Sequence, residues 1–338
     1  MTDLSEFETV SEVDDLRKTN RRLEAQLRRA KARVEELVEA TIAAAHDAAT
    51  IAGPLPPIDK PKRDTRRRGP EAALIHATDW QGRKLTPTYN GDVMVERVHL
   101  FAQRIERLVE IQRADHPVPV GVIAFGGDMG EGLFNFPTQP FEIDATIFDQ
   151  FVSVAELEAW LVRWALSVFE KVHVVCEWGN HGRIGSKRST VPRSDNFDRM
   201  TYELARRMVG DDPRLTWRES SDDIQHIEVG NYRALLIHGD EIGRNGFASR
   251  NTIVQHVNRW RSGAHRWDFR DCYVGHYHVH GEEGLANGEG AVYWTGSTES
   301  TNRYAADTLA SSAIPSQRVN FIDLEEGRVS CAYKAWLG

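Results

Sequence analysis

Cysteine is scarce in this 338-residue chain, and the spacing of the few cysteines argues against a disulfide-stabilised or zinc-knuckle protein. The three are Cys176, Cys272 and Cys331, an odd number with no Cys-x-x-Cys pair. This pattern predicts neither a disulfide framework nor a zinc knuckle. It favours a reducing compartment, and we expect a cytoplasmic protein.

Long apolar runs are missing too, so no segment is expected to span a bilayer, and the acidic stretch from Met1 to Glu12 does not resemble a signal peptide. Hydrophobic residues make up 41% of the chain and charged residues 27%, as in ordinary soluble proteins. The net charge of −8 is unevenly placed: residues 1–70 carry +1 and residues 71–338 carry −9. This balance does not by itself indicate a polyanionic partner.

The N-terminal region contains a heptad pattern over residues 10–46, a stretch without glycine or proline. The a and d positions are Val13, Leu16, Asn20, Leu23, Leu27, Ala30, Val34, Leu37, Thr41 and Ala44. About five heptads, with a buried asparagine at one a position, predict a parallel coiled coil and hence a homodimer. A single amphipathic helix packed on its own domain is the alternative. We assign the coiled coil to residues 1–51.

Residues 52–70 form a basic, proline-rich segment that we interpret as a semi-rigid linker. From residue 71 to the end, apolar runs alternate with amphipathic ones, which indicates βαβ units in one α/β catalytic domain with two sheets. The first three predicted strands are Ala72–Asp79, Val120–Asp128 and Val172–Asn180. The helix between the last two is predicted over Ala155–Phe169.

Polar side chains that could bind metals stand at the ends of five predicted strands, next to glycine-rich turns. These positions are Asp79, Gln81, Asp128, Asn180, His238, His276 and His278. Ligands bind outside the carboxyl ends of strands in open α/β sheets, and small residues there allow close approach. Carboxylate, carboxamide and imidazole ligands together suit Mn²⁺, Zn²⁺ or Fe better than Ca²⁺ or Mg²⁺ alone.

The order Asp-x-Gln, Gly-Asp, Gly-Asn-His, His, Gly-His-x-His resembles the calcineurin-like metallophosphoesterase superfamily over about residues 72–300. The resemblance implies a two-sheet αββα sandwich with two divalent ions at one edge, and Mn²⁺ is the metal we expect. By position, Asp79, Asp128 and His278 would hold one ion, and Asn180, His238 and His276 the other, with Asp128 bridging. A metal-bridging hydroxide would then attack phosphorus, with His181 as the general acid.

Two positions depart from the pattern of that superfamily. Gln81 stands where a ligating histidine is usual, so we expect the carboxamide to bind the first ion directly or through water. Gly182 stands where an acidic residue usually follows the catalytic histidine. Glu177 or Asp240 is expected to orient His181 in its place.

The segment Val292 to Arg303, with its Gly-Ser-Thr, is similar to the SbcD-like DNA repair exonuclease branch of the superfamily. Arg183, Lys187 and Arg188 follow His181 and could contact a phosphate backbone, or could form a solvated basic loop. The insert Gly130 to Phe141 contains Phe134, Phe136 and Phe141. They are interpreted either as local core or as a lid or base-stacking platform.

Three functions therefore remain open. The first is a nuclease or phosphodiesterase acting on DNA or another nucleic acid. The second is a phosphatase or phosphodiesterase for small molecules such as nucleotides, and the third is a non-catalytic scaffold. The intact ligand set argues against the scaffold, whereas the acidic catalytic region argues mildly against the nuclease.

Overall fold

The computed structural model describes residues 17–26, 28–29, 36, 40, 43, 56–66, 68–133, 135–184, 195–219, 224–242, 248–286, 288–300 and 314–338. The chain divides into two compact units, Met1–Gly53 and Pro54–Gly338. None of the described helices is both long enough and apolar enough to cross a membrane.

In the first unit, residues 17–26 form helix α1, and the other described residues up to position 43 are also helical. Of the heptad positions, Asn20 and Leu23 belong to the described residues, and both are exposed. Leu23 is 55% exposed. The remaining heptad positions lie outside the described residues, so the coiled-coil homodimer stays a prediction.

The second unit contains two β-sheets. Strands β1 to β4 are Glu71–Ala77, Val120–Phe125, Lys171–Cys176 and Leu215–Glu219. Strands β5 to β8 are Gln225–Val229, Tyr232–Ile237, Asp271–Val274 and Gly281–Gly284, and β9 to β11 are Ala291–Trp294, Ser316–Asp323 and Arg328–Trp336. The first sheet has the order β11-β10-β1-β2-β3-β4, and the second has the order β5-β6-β7-β9-β8.

Parallel pairing places the ends of neighbouring strands together in both sheets. Strands β1, β2, β3 and β4 are parallel to one another, and β10 and β11 extend the first sheet in antiparallel fashion. In the second sheet, β6, β7 and β9 are parallel, and β5 and β8 form antiparallel edges. Antiparallel strands on a mainly parallel sheet are common in mixed α/β folds.

The helices of the second unit are α2 (Gly91–Gln112), α3 (Ile147–Val168), α4 (Phe197–Val209) and α5 (Arg250–Arg259). Each begins after a residue whose side chain accepts a backbone N–H of the first turn: Asn90, Thr146, Asn196 and Ser249. Such caps satisfy N–H groups that have no partner within the helix. The caps therefore fix where each helix starts.

The core lies between the two sheets. Side chains such as Leu74 and Ala124 of the first sheet share one buried cluster with Leu236 and Tyr273 of the second. Alternate residues of the second sheet, such as Ile237, point to the opposite face and pack with α5. Helices pack on the outer side of the first sheet as well. The fold is the expected two-sheet α/β sandwich with flanking helices.

Several element boundaries differ from the sequence prediction. The strands predicted to end at Asp79, Asp128 and Asn180 stop at Ala77, Phe125 and Cys176, and the backbone has positive φ angles at Asp79 and Asp128. Helix α3 begins at Ile147 rather than Ala155, where Thr146 caps it. Strands β4, β8 and β11 were not predicted. Strands β4 and β8 have only five and four residues, and such short strands carry a weak periodic signal.

Candidate metal centre

The loops after five strands meet at one edge of the sandwich and bring the polar side chains together. Asp79, Asp128 and Asn180 follow the parallel strands β1, β2 and β3 of the first sheet. His238 follows β6 and His276 follows β7 in the second sheet. The carboxyl ends of parallel strands share one edge, so this topology is what joins residues far apart in sequence.

The backbone is strained at these positions. Positive φ angles occur at six described non-glycine residues, which are Asp79, Gln81, Arg83, Asp128, His276 and His278. Five of the six are the residues proposed from the sequence as metal ligands. A non-glycine residue at positive φ has a higher conformational free energy, so this backbone conformation persists only where surrounding contacts enforce it. Such residues are common at functional sites.

Two glycines allow the ligand loops to approach closely. A Cβ atom on Gly179 would lie 2.0 Å from Asp128 Oδ1, and one on Gly275 would lie 2.7 Å from Asp79 Oδ2. Both contacts are far shorter than van der Waals distance. The glycines therefore let carboxylates sit directly against a neighbouring loop.

One group of side chains surrounds the carboxylate of Asp79. His278 Nε2 lies 3.3 Å from Asp79 Oδ1. The Gln81 carboxamide nitrogen lies 3.4 Å from His278 Nε2 and 3.4 Å from Asp128 Oδ2. Gln81 Oε1 is buried and has no hydrogen-bond partner among the described residues. A flip of the carboxamide, which exchanges its oxygen and nitrogen, would turn this oxygen toward the same two groups, as a metal ligand requires.

A second group surrounds Asp128. His238 Nε2 lies 3.0 Å from Asp128 Oδ2 and 3.1 Å from Asn180 Oδ1. One nitrogen or oxygen from each of Asp128, His238 and His276 falls within 4.8 Å of the others. Asp128 Oδ2 therefore lies within 3.4 Å of a side chain from each of the two groups.

Contacts behind these side chains orient them toward the centre. His238 Nδ1 lies 2.8 Å from the carbonyl oxygen of Gly126, which fixes the proton on Nδ1 and leaves Nε2 free to bind a metal. The backbone N–H of His276 donates to both carboxylate oxygens of Asp79, at 3.0 and 2.9 Å. Oxygen and nitrogen donors held in this way fit divalent ions such as Mn²⁺ or Zn²⁺.

The electrostatics of the group also suit cations. Burial lowers the pKa of His278, but hydrogen bonds to Asp79 and Glu299 raise it to about 10. Burial also opposes protonation of His238, yet the Asp128 carboxylate raises its pKa well above the usual value. The carboxylates thus attract protons when no metal is bound, and a metal ion would compete with those protons.

Asp198 supports the centre and was missed by the sequence analysis. Its Oδ2 accepts the backbone N–H of Asp128 and of Gly179, both at 2.8 Å, and its Oδ1 accepts that of Met129 at 3.0 Å. Asp198 thereby joins the loops after β2 and β3. The pattern Asn196-Phe-Asp198 before an amphipathic run signals a helix start, but nothing in it indicates bonds to distant loops.

His181 lies beside Asp128, with Glu131 behind it. His181 Nδ1 is 3.2 Å from Glu131 Oε2, and its Nε2 is 3.9 Å from Asp128 Oδ2. Burial lowers the pKa of His181, but Glu131 and Asp128 outweigh burial and raise it above the usual value. A protonated imidazole held on Nδ1 presents its Nε2 proton toward the centre.

The orienting residue differs from the sequence expectation. Asp240 forms an ion pair with Arg183, and the Glu177 carboxylate accepts the backbone N–H of Trp178. Glu131 contacts His181 instead. An acidic side chain at Gly182 would not fit, because a Cβ there would lie 2.5 Å from Asn196 Oδ1. The only sequence signal for Glu131 was its place shortly after Asp128.

A buried lysine connects the partners of two site histidines. Lys84 Nζ lies 3.5 Å from Glu131 Oε2 and 3.2 Å from Glu299 Oε1. Glu299 Oε2 in turn lies 3.4 Å from His278 Nδ1. Burial disfavours the charge on Lys84, but the two carboxylates raise its pKa above the usual value. No motif or periodic pattern in the chain points to Lys84 or Glu299.

The substrate contacts proposed from the sequence are only partly described. The Arg183 side chain is largely buried and is paired with Asp240. Arg188 and Lys187 lie outside the described residues, and so does Phe134. Phe136 and Phe141 are 39% and 85% exposed, so the interpretation of these two as local core is wrong.

No protein-family model and no curated protein matches this sequence. Among solved structures, the chain is similar to Vps29 of Entamoeba histolytica in complex with Zn²⁺. The sequence identity is 10%, the match covers 78% of this chain and 99% of that chain, and the TM-score is 0.31. A Streptococcus pneumoniae protein named as a predicted phosphoesterase is similar at 12% identity. The match covers 78% of this chain and 97% of that chain, with a TM-score of 0.29.

The sulfate thiohydrolase SoxB of Thermus thermophilus is similar at 12% identity, over 84% of this chain and 57% of that chain, with a TM-score of 0.35. All three identities are low and all three TM-scores are below 0.5. The chemistry assigned to the site therefore depends on the geometry of this chain.

Proposed function

We propose that this protein is a two-metal phosphoesterase of the calcineurin-like superfamily that hydrolyses phosphodiester bonds, with nucleic acid as the substrate class. The observation that carries the proposal is the pair of ligand groups that share Asp128. Asp79, Gln81 and His278 would complete the first metal site, and Asn180, His238 and His276 the second. Two divalent ions, with Mn²⁺ proposed, would polarise a phosphoryl oxygen and lower the pKa of a bound water.

The protein itself supplies the proton for the leaving group. Glu131 contacts the Nδ1 of His181 and Asp128 lies close to its Nε2, and these carboxylates raise the pKa of His181 above its usual value and so favour the protonated ring. Its Nε2 proton can pass to the leaving oxygen, and Glu131 stabilises the ring orientation during the transfer. Removing such a general acid typically lowers kcat by about 10²- to 10⁴-fold.

A phosphatase or phosphodiesterase for free nucleotides is the second candidate. The net charge of −9 over residues 71–338 favours it, because a long polyanion would be repelled where acidic groups are not neutralised by metals. A scaffold without activity is disfavoured, since it would not need strained ligand loops and a buried His181–Glu131 pair.

The test is a Mn²⁺-dependent activity panel on linear duplex DNA, single-stranded DNA, bis-p-nitrophenyl phosphate and p-nitrophenyl phosphate, with bound metal measured in parallel. We expect His181→Ala to lose turnover but keep two bound metal ions. Asp128→Ala should lose turnover and metal binding together. Cleavage of the monoester alone would support the nucleotide phosphatase. Wild-type protein that binds no metal in Mn²⁺ would refute the two-metal site.

A further inference from the structure

An exposed phenylalanine lies directly against the proposed general acid. The ring centroids of Phe136 and His181 are 4.9 Å apart, with the ring planes inclined at 57°. Phe136 is nevertheless 39% exposed, so one part of its ring contacts His181 and the rest faces solvent. The aromatic surface that Phe136 leaves open therefore borders the proposed general acid.

The loop that carries Phe136 is firmly bonded to the loop that carries His181. The Asn135 carboxamide donates to the carbonyl oxygen of Asn180 at 2.7 Å. The fully buried Gln139 accepts the backbone N–H of Asn135 at 3.0 Å and of Phe136 at 3.1 Å, and it donates to the His181 carbonyl oxygen at 3.3 Å. Phe136 is therefore held in a fixed position relative to His181.

A pre-positioned aromatic face next to a phosphate-cleaving group suits a substrate that carries a flat ring close to its phosphate. Nucleosides meet this condition, and each base can stack on an aromatic side chain whatever its hydrogen-bonding edge. A fixed ring also stacks with little loss of side-chain entropy on binding.

We propose that Phe136 stacks on the nucleobase adjacent to the scissile phosphate, and that it makes the enzyme select esters that carry a base. This inference rests on the proposed function and adds the substrate feature that the site reads. It predicts a preference for unpaired bases, because a base stacked within a duplex presents no free face to Phe136.

The test compares a single-stranded thymidine oligonucleotide with an abasic oligonucleotide of equal length that contains tetrahydrofuran residues. For Phe136→Leu we expect kcat/KM on the thymidine strand to fall by about 5- to 150-fold, as for loss of one stacked base. Cleavage of the abasic strand should fall by a clearly smaller factor, and Phe136→Tyr should behave as wild type. Trp336→Leu is the matched control, since Trp336 is an exposed aromatic on the edge strand β11, which carries no site residue.

Binding provides a readout that does not depend on turnover. Stacking on Phe136 should quench the fluorescence of 2-aminopurine deoxyriboside 5′-monophosphate mixed with the Mn²⁺-loaded protein in a stopped-flow instrument. The quench should be lost in Phe136→Leu and kept in Trp336→Leu.

Three outcomes would overturn the inference. Equal losses on both strands would mean that Phe136 only supports His181, and unchanged rates on both would mean that it touches no substrate. A quench that survives in Phe136→Leu would place the base elsewhere. If wild type cleaves neither strand nor the nitrophenyl esters, the proposed function fails, while the quench still decides whether Phe136 binds a base.

Discussion

The charge of Lys84 should contribute strongly to the free energy of unfolding, because it lies between two buried carboxylates. Its Nζ is 3.2 Å from Glu299 and 3.5 Å from Glu131, and the side chains of Lys84, Glu131 and Glu299 are only 8%, 2% and 1% exposed. At an effective dielectric constant of about 20, each contact corresponds to about 5 kcal/mol of Coulomb attraction. Desolvation of the three charges offsets most of this attraction, so the net value of the network is much smaller.

Replacing Lys84 by methionine keeps the approximate volume but removes the charge. Glu131 and Glu299 would remain buried, with His181 and His278 as the neighbouring groups that can carry positive charge. Breaking a buried ion pair by removing one partner costs about 3–5 kcal/mol. We expect Lys84→Met to lower the free energy of unfolding by about that amount, measured by urea denaturation at pH 7.

Two further variants test whether the loss of stability in Lys84→Met comes from the uncompensated buried carboxylates rather than from substitution in general. Arg107 pairs with Glu110 on the surface of α2, where the side chains are 72% and 69% exposed. Arg107→Met should therefore cost about 1 kcal/mol or less. Changing Glu131 and Glu299 to glutamine together with Lys84→Met should recover most of the lost stability, because no charge is left uncompensated. A cost below about 1 kcal/mol for Lys84→Met alone would refute the reasoning.

The loops and the core give three further predictions. Asp198→Asn should lower the free energy of unfolding by about 1–3 kcal/mol in chemical denaturation, because one amide oxygen cannot accept the three backbone N–H groups that the carboxylate accepts. Gly179→Ala should abolish metal binding in calorimetric titration, since its Cβ displaces the Asp128 carboxylate, whereas Gly284→Ala, with no atom within 4 Å of the added Cβ, should bind normally. Burial lowers the pKa of His76 to about 3, so its contribution to stability is complete above pH 6.5 and is lost as the pH falls toward 3. Between pH 7 and pH 5, wild type should lose about 2 kcal/mol more than His76→Asn, and equal losses would contradict this assignment.

The candidate ligands were predictable because their chemistry is local. Asp128, Asn180, His238 and His276 each stand next to a glycine at the end of an apolar run, and both features are visible in the sequence. The expectation that parallel strands would bring them together follows from the α/β pattern alone. Asp79, Asp128, Asn180, His238, His276 and His278 do lie at one edge in the structure, as that expectation requires.

The contacts behind the ligands were not predictable, because they join positions that no periodic pattern connects. Asp198 binds backbone groups 70 and 19 residues away, and Lys84, near the start of the second unit, contacts Glu299, near its end. Buried charges of this kind look like ordinary surface residues in a sequence. Their partners become known only when the strand order of both sheets is known.

The sequence by itself determined the class of the fold, the edge at which chemistry is expected, and the candidate ligand donors that meet at this edge, because apolar periodicity and glycine turns are local properties. Tertiary structure decided the rest. It placed Glu131 rather than Glu177 or Asp240 behind His181, since Asp240 pairs with Arg183 and the Glu177 carboxylate accepts the backbone N–H of Trp178. It also left Phe136 on the surface beside His181. Both results depend on which loops are packed together, and packing is a property of the whole fold.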